Sequence, residues 1–78
     1  MKGVPSLKPR EVIKGLEKFG FVKDRQKGSH LILINPSTKK MTVVPIHKGK
    51  DIKKKLLLKI IEEDCGLKKE EFLSMIKK

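Results

Sequence analysis

The feature that most constrains the fold of this chain is a short apolar run, residues 31–34 (Leu-Ile-Leu-Ile), with turn-forming sequences on both sides. Lys-Gly-Ser at 27–29 precedes it and Asn-Pro-Ser-Thr at 35–38 follows it, and these residue types favour turns. A segment of this length between two turns is typical of a β-strand, whereas helices generally run longer. Residues 30–35 are therefore predicted to form a strand of an antiparallel sheet.

The segments around this strand predict two further strands and three helices. Residues 21–26 begin with β-favouring side chains, and residues 40–46 form a third strand that Pro45 ends or kinks. Helical spacing predicts one helix from Pro9 to a cap at Gly20, one over 51–66 with Asp51 as its N-cap, and a short one over 69–77. The apolar faces of these helices are Val12, Ile13, Leu16 and Phe19; Ile52, Leu56, Leu57, Ile60 and Ile61; and Phe72, Leu73 and Ile76.

The predicted order, α-β-β-β-α-α, corresponds to an α+β fold in which helices cover one face of a three-stranded antiparallel sheet. The result is a two-layer sandwich whose other sheet face is free for a ligand. We expect residues 1–78 to form one domain, because a chain this short supports a single small core. Gly15 is expected to weaken the first helix slightly, since glycine is a poor helix former.

The strongest compositional signal is positive charge: 20 Lys and Arg against 9 Asp and Glu give a net charge of +11. Residues 1–50 contain 12 of the basic and 3 of the acidic side chains, so the excess is concentrated there. Such an excess indicates a polyanionic partner, which can be nucleic acid, an acidic protein or an anionic membrane. The absence of Tyr and Trp argues against recognition of single-stranded bases by stacking.

Export and membrane insertion are not predicted. The first ten residues contain no apolar stretch of the signal-peptide kind, and the longest apolar runs are far too short to span a membrane. Cys65 has no second cysteine as a partner, so we expect a small, partly buried helical residue and a reducing cytoplasm. Two histidines and one cysteine match no zinc spacing, and no cofactor motif is present, so neither a metal nor a cofactor is expected.

The chain has two histidines, His30 and His47, which are candidates for acid–base catalysis on RNA. A ribonuclease needs a base for the 2′-hydroxyl, a cation for the phosphate and an acid for the leaving 5′-oxygen. Histidine suits the proton transfers, and Lys or Arg suits the phosphate. The segment 25–30 supplies both kinds of group, since Arg25 and Lys27 lie close to His30 in the sequence.

Each of these residues also has a plain structural interpretation. A histidine at the start of a strand is commonly a polar surface residue, and Gly28 and Ser29 are commonly turn residues. In a binding role, Gly28 would let a phosphate approach the backbone, and Ser29 would donate to that phosphate or orient His30. Lys48 and the other lysines of the 47–55 region are commonly solvated charges, although the high net charge favours a phosphate contact for Lys48.

Several passages of the chain resemble one family, the HicA-like (YcfA-type) toxins of bacterial and archaeal toxin–antitoxin modules. They are residues 7–21 (LKPREVIKGLEKFGF), 25–30 (RQKGSH), 36–50 with Val-Pro-x-His at 44–47, the predicted helix opening DIKKKLL, and Glu71 with Phe72 near the end. The resemblance spans nearly the whole chain. The combination of Arg-Gln-Lys-Gly-Ser-His with a downstream Val-Pro-x-His is its most specific part.

The resemblance implies a fold similar to a double-stranded-RNA-binding domain and an activity, namely ribosome-independent, metal-free cleavage of mRNA. The histidine of the family's Gly-Ser-His motif is catalytic, and it matches His30 here. We expect RNA contacts from Arg25, Lys27, Gly28, Ser29, His47 and Lys48. A HicB-type antitoxin that covers the active face would be the protein partner.

One position departs from the family pattern. Many relatives have a second histidine directly after the first, where this chain has Leu31. The group that shares proton transfer with His30 therefore stays open among His47, a lysine and water. Two other functions also stay open: a non-catalytic RNA-binding module of the same fold, and a basic interaction protein that docks an acidic partner.

Overall fold

A computed structural model describes residues 6–47 and 49–77 of the chain. The elements follow one another as α1 (Pro9–Lys18), β1 (Val22–Lys27), β2 (His30–Asn35), β3 (Lys40–Pro45), α2 (Lys54–Leu58), a π-helix (Lys59–Asp64) and α3 (Lys69–Lys77). The α+β class and the α-β-β-β-α order are therefore as predicted, and the bounds of β2 and α3 match the sequence-based ones.

The three strands form one antiparallel sheet in the order β1-β2-β3, with β2 in the centre. A two-residue turn at Gly28 and Ser29 joins β1 to β2, and Gly28 has a φ of 58° while Ser29 keeps a negative φ. This pattern is typical of tight hairpins that place glycine first in the turn. The β2–β3 turn spans residues 36–39 and includes Lys39 at a φ of 65°.

The hydrophobic core lies between the sheet and the helices. Alternate side chains of β2 and β3 point into it, because successive residues of a strand face opposite sides of the sheet. The buried apolar side chains of this core are Leu7, Val12, Ile13, Leu16, Phe21, Leu31, Leu33, Val44, Ile52, Leu57, Ile60, Ile61, Cys65 and Phe72. Burial raises the pKa of the Cys65 thiol to about 12, Asp64 acts in the same direction, and Lys40 opposes it.

One buried polar side chain, that of Asn35, connects three elements. Its Nδ2 donates to the carbonyl oxygen of Phe19 at 3.2 Å, just beyond α1. Its Oδ1 accepts from the backbone N–H groups of Ser37 at 2.9 Å and Thr38 at 3.3 Å. Asn35 is only 6% exposed, so these bonds replace water that it would lose on folding. The Asn-Pro-Ser-Thr turn is thus fixed to the end of α1.

Helices α1 and α3 approach each other closely at Gly15. A Cβ atom at this position would lie 2.7 Å from Cζ of Phe72, whose ring is fully buried. The ring of Phe72 also stacks on Phe19, with centroids 6.1 Å apart. Glycine therefore serves here to admit an aromatic ring against the backbone of α1, a role that helix propensity alone does not reveal.

The start of the second helix was predicted wrongly. Asp51 does not act as its N-cap, because α2 begins at Lys54 and the residue before it is Lys53, with an extended backbone. Ile52 instead pairs with Leu7 in an antiparallel bridge, donating its N–H to the Leu7 carbonyl at 2.7 Å and accepting in return at 3.3 Å. Pairing with a distant residue replaces the helical turn that the local pattern indicated.

The helix that follows also differs from a regular α-helix. After five residues, α2 widens into a π-helix from Lys59 to Asp64, and Gly66 comes shortly after its end with a φ of 69°. π-helical turns are rare and frequently occur at functional sites. In the part of the chain that the structure describes, no helix is long and apolar enough to cross a membrane.

Candidate nucleic-acid interface

The face of the sheet opposite the helices contains His30. Residues directly opposite each other on antiparallel strands point to the same face, so the strand register identifies the neighbours of His30. Lys27 lies opposite it on β1 and Pro45 on β3. The side chains that share this open sheet face are Val22, Arg25, Lys27, His30, Ile32, Ile34, Met41, Val43 and Pro45.

A β-bulge in β1 places Arg25 on the open sheet face. Lys23 pairs with Leu33 and Arg25 with Ile32, which leaves Asp24 as an additional residue between them. A bulge reverses the alternation of side chains beyond it. Before the bulge, Val22 lies on the same face as His30. After the bulge, Arg25 and Lys27 lie on that face, because the additional residue Asp24 shifts the alternation by one. Arg25 is only weakly paired with Asp24, at 3.9 Å, and is largely exposed.

His30 lies in an open groove of about 390 Å³ along the β3 side of the sheet. The groove is bounded by β3 residues on one side and by the helical segment on the other. Its lining residues are His30, Met41, Thr42, Val43, Pro45, Leu56, Lys59 and Asp64. The His30 side chain is exposed and makes no hydrogen bond to the described residues, so its ring nitrogens are accessible to a bound molecule.

The π-helix contributes a polar cluster to the same groove. Thr42 Oγ1 donates to Asp64 Oδ2 at 2.8 Å, and Lys59 Nζ donates to Asp64 Oδ1 at 3.3 Å. Lys59 and Asp64 are the first and last residues of the π-helix, and its wide turns bring residues five apart to one side. Thr42 is almost fully buried, whereas Lys59 is more than half exposed. Lys59 can therefore reach an anion in the groove.

The two carbonyl groups of the Gly28–Ser29 turn accept hydrogen bonds, one from a side chain and one from the main chain. Gln26 Nε2 donates to the Gly28 carbonyl at 2.9 Å, and the Ile46 N–H donates to the Ser29 carbonyl at 2.6 Å. A Cβ atom at Gly28 would have nothing within 4 Å, so the space beside its backbone is open. The turn thus combines a left-handed backbone with room for a ligand.

His47 belongs to a neighbouring concavity. It lines a cleft of about 430 Å³ together with residues from the start of α1 and the loop before α2. Of the predicted site residues, His30, Arg25 and Lys27 share the open sheet face, Gly28 and Ser29 form the turn next to them, and His47 lies beyond the end of β3. Lys48 lies outside the described residues.

No sequence pattern singles out Lys59, Asp64 or Thr42 as a site residue. Lys59 stands in a lysine-rich helix, and no local signal separates it from its neighbours. Its place in the groove depends on the π-helix and on the packing of that segment against β3. Among residues 6–47 and 49–77, no group of three or more His, Cys, Asp or Glu side chains is arranged to hold a metal ion.

These features define a class: a small basic α+β sandwich with helices on one sheet face and a histidine among cationic side chains on the other. Comparison with protein-family models identifies the family of the chain. Residues 9–67 match the family model described as the HicA toxin of bacterial toxin–antitoxin systems, and the chain belongs to that family. It is accordingly a toxin of a toxin–antitoxin module whose partner is an antitoxin. Searches of curated proteins and of solved structures found no match.

Proposed function

We propose that this toxin is an endoribonuclease that cleaves mRNA without the ribosome and without a metal ion, with His30 as general acid or general base. One observation carries the proposal: the exposed His30 side chain lies on the open sheet face opposite Lys27, in a groove that also contains Lys59. Proton transfer and phosphate binding are thus available side by side. The match of His30 to the catalytic histidine of the HicA-like motif supports the same role.

The chemistry requires the RNA, His30 and one further group for the second proton transfer. The 2′-oxygen attacks the adjacent phosphorus while the bond to the 5′-oxygen breaks, which leaves a 2′,3′-cyclic phosphate and a 5′-hydroxyl. His30 removes the 2′ proton or supplies one to the leaving oxygen. The second proton transfer falls to His47, a lysine or water. Lys59 is the lysine that shares the groove with His30.

Binding of the RNA would use the cations on either side of His30. Arg25 and Lys27 contact phosphates from β1, and the open space beside Gly28 lets the strand approach the turn at Ser29. His47 makes a contact beyond the end of β3, and Lys48 is proposed as a further phosphate ligand. An mRNA target places the site of action in the cytoplasm.

The test compares wild type with His30→Ala on a labelled single-stranded RNA and on its all-deoxy counterpart, with EDTA present. We expect wild type to cut the RNA only, and the variant to bind RNA without cutting it. Because His30 is exposed, the variant should keep the melting temperature of wild type. Binding without cleavage by wild type would refute the enzyme and favour a non-catalytic RNA-binding module. Absence of RNA binding beyond a steeply salt-dependent background would favour docking to an acidic partner.

We further propose that the antitoxin is of the HicB type and covers the open sheet face. Three large apolar side chains are exposed there, Met41 at 51%, Val22 at 48% and Val43 at 39%. Contiguous exposed apolar side chains commonly mark protein interfaces. Met41→Glu with Val43→Glu should therefore weaken binding of a HicB-type antitoxin, measured by titration. Lys14→Glu with Lys18→Glu, on the opposite layer, serves as control, and equal weakening by both pairs would contradict the placement.

A further inference from the structure

The cleft that contains His47 has a composition suited to an anion. Its described lining residues are Lys8, Pro9, Arg10, Ile46, His47, Gly49, Lys50 and Asp51. Three of these are permanent cations, and one is a carboxylate. Side chains from two separate parts of the chain, the start of α1 and the loop before α2, contribute these cations. The cleft is therefore assembled by the fold and not by a single run of lysines.

The cations of the cleft lack protein partners among the described residues. Within residues 6–47 and 49–77, the ion pairs join Arg25 to Asp24 and Lys59 to Asp64. Lys8, Arg10 and Lys50 have no carboxylate within ion-pairing distance in that part of the chain. Like charges that converge on one concavity repel each other, and a bound anion relieves that repulsion.

The cleft also adjoins the groove of His30. Pro45 lines the groove and lies opposite His30 in the sheet, while the next residue, Ile46, lines the cleft. The bond from the Ile46 N–H to the Ser29 carbonyl fixes this connection. Strand spacing puts the Cα atom of Ile46 about 6 Å from that of His30. An RNA strand that leaves the groove at the end of β3 meets the cleft next.

We propose that this cleft is a second phosphate-binding site, which holds a phosphate of the RNA strand next to the one cleaved beside His30. Arg10 and Lys50 supply the main charge, Lys8 adds to it, and His47 contacts the same segment of RNA. The inference rests on the proposed ribonuclease function for the identity of the ligand. It assigns a binding role to Lys8 and Arg10 at the start of α1.

The experiment measures binding of single-stranded RNA in the His30→Ala background by fluorescence anisotropy over a range of salt concentrations. Arg10→Gln with Lys50→Gln removes two charges from the cleft. Lys14→Gln with Lys18→Gln removes two exposed charges from the outer side of the same helix and is the matched control. We expect the cleft pair to lower affinity about tenfold and to flatten the slope of log K against log salt by about 0.7 for the lost phosphate. Equal losses for both pairs would overturn the proposal.

A chemical probe separates a phosphate contact from a general effect on the fold. A neutral methylphosphonate replaces one phosphate at a time along the RNA. At one position beside the cleavage site, the substitution should weaken binding by the His30→Ala protein about tenfold. The same substitution should cost little when Arg10 and Lys50 are already replaced, because the contact is then absent. Fully additive losses at every position would refute the site.

The outcome also distinguishes this inference from the proposed function. If wild type cuts RNA while the cleft pair binds and cuts as wild type does, the ribonuclease proposal stands and the second site is wrong. If wild type cuts no RNA but the cleft pair and one phosphate position show the non-additive loss, the second site stands as an RNA-binding site and the ribonuclease proposal is wrong.

Discussion

Replacement of Gly15 by alanine tests the packing of α1 on α3. In a helix interior, alanine ordinarily stabilises a protein by about 0.5–1 kcal/mol relative to glycine. Here the added methyl carbon would lie 2.7 and 2.8 Å from two ring carbons of Phe72 and 3.2 Å from Cγ1 of Ile76. Non-bonded carbons pack at about 3.5–4.0 Å, so the ring or the helix must move by about 1 Å.

The ring has little freedom to move, since Phe72 is fully buried and stacked on Phe19. Overpacking of this kind costs about 1–3 kcal/mol. After the gain in helix propensity is subtracted, we expect Gly15→Ala to lower the free energy of unfolding by about 1 kcal/mol, within a range of about 0–2.5 kcal/mol. For a domain of this size, each kcal/mol corresponds to a fall in melting temperature of about 4–8 °C.

The assay is urea unfolding followed by far-UV circular dichroism, because the chain has no Trp or Tyr to serve as a fluorescent probe. Lys14→Ala, at an exposed position of the same helix, is the control and should change stability little. The penalty should shrink in a Phe72→Leu background, where the smaller side chain leaves room for the methyl group. A Gly15→Ala protein that is more stable than wild type would refute the packing argument.

Three further predictions concern individual contacts. Thr42→Val removes the bond to Asp64 and should lower the free energy of unfolding by about 1 kcal/mol in urea titration; an unchanged midpoint would show that the bond contributes nothing. Gly28→Ala should cost about 1 kcal/mol by thermal unfolding and Gly28→Asn less, because the positive φ and not crowding disfavours a side chain; equal costs would contradict this. Burial raises the pKa of the Cys65 thiol from 9.0 to about 12, so the contribution of the protonated thiol to the free energy of unfolding is complete below pH 9.0 and is lost as pH rises to about 12. Cys65→Ala should therefore show a shallower alkaline loss of stability than wild type, and parallel curves would refute it.

Local sequence patterns predicted the elements whose limits are set by turns. The strand over 30–35 was placed correctly because Gly28 and Asn35 mark its two ends with strong turn preferences. The short third helix was also predicted correctly, since its apolar spacing agrees with its packing against α1. In both cases the local preference and the tertiary environment favour the same structure.

Other features depend on contacts between distant residues. The apolar spacing of Ile52 with later residues is compatible with a helix, but its backbone pairs with Leu7 instead. Likewise, the pattern of residues 59–64 does not distinguish a π-helix from an α-helix, and the bulge at Asp24 leaves no trace in a strand whose side chains are all exposed. The spacing of apolar residues indicates which face of a helix or strand is buried, but it does not indicate which distant segment that helix or strand contacts.

Some residues of the candidate site could be predicted from local sequence, and others depend on tertiary packing. His30, Arg25 and Lys27 could be proposed from one short segment because a hairpin keeps neighbours in sequence close in space. The roles suggested for them by sequence stay predictions, and the His30→Ala comparison tests the role of His30. Lys59 and the cations of the cleft could not be proposed, since β3, the π-helix and the start of α1 must pack together before those side chains share a concavity with a histidine.

The bulge at Asp24 has a consequence for the behaviour of the protein at high concentration. A free strand edge can pair with another chain and start aggregation. β1 is such an edge, but its six side chains are exposed, four of them are charged, and the bulge interrupts its hydrogen-bonding pattern. At the opposite edge, the π-helix packs along β3 through the Thr42–Asp64 bond. Both edges of this small sheet are thus poor templates for further strands, which favours a dispersed protein over fibrous assemblies.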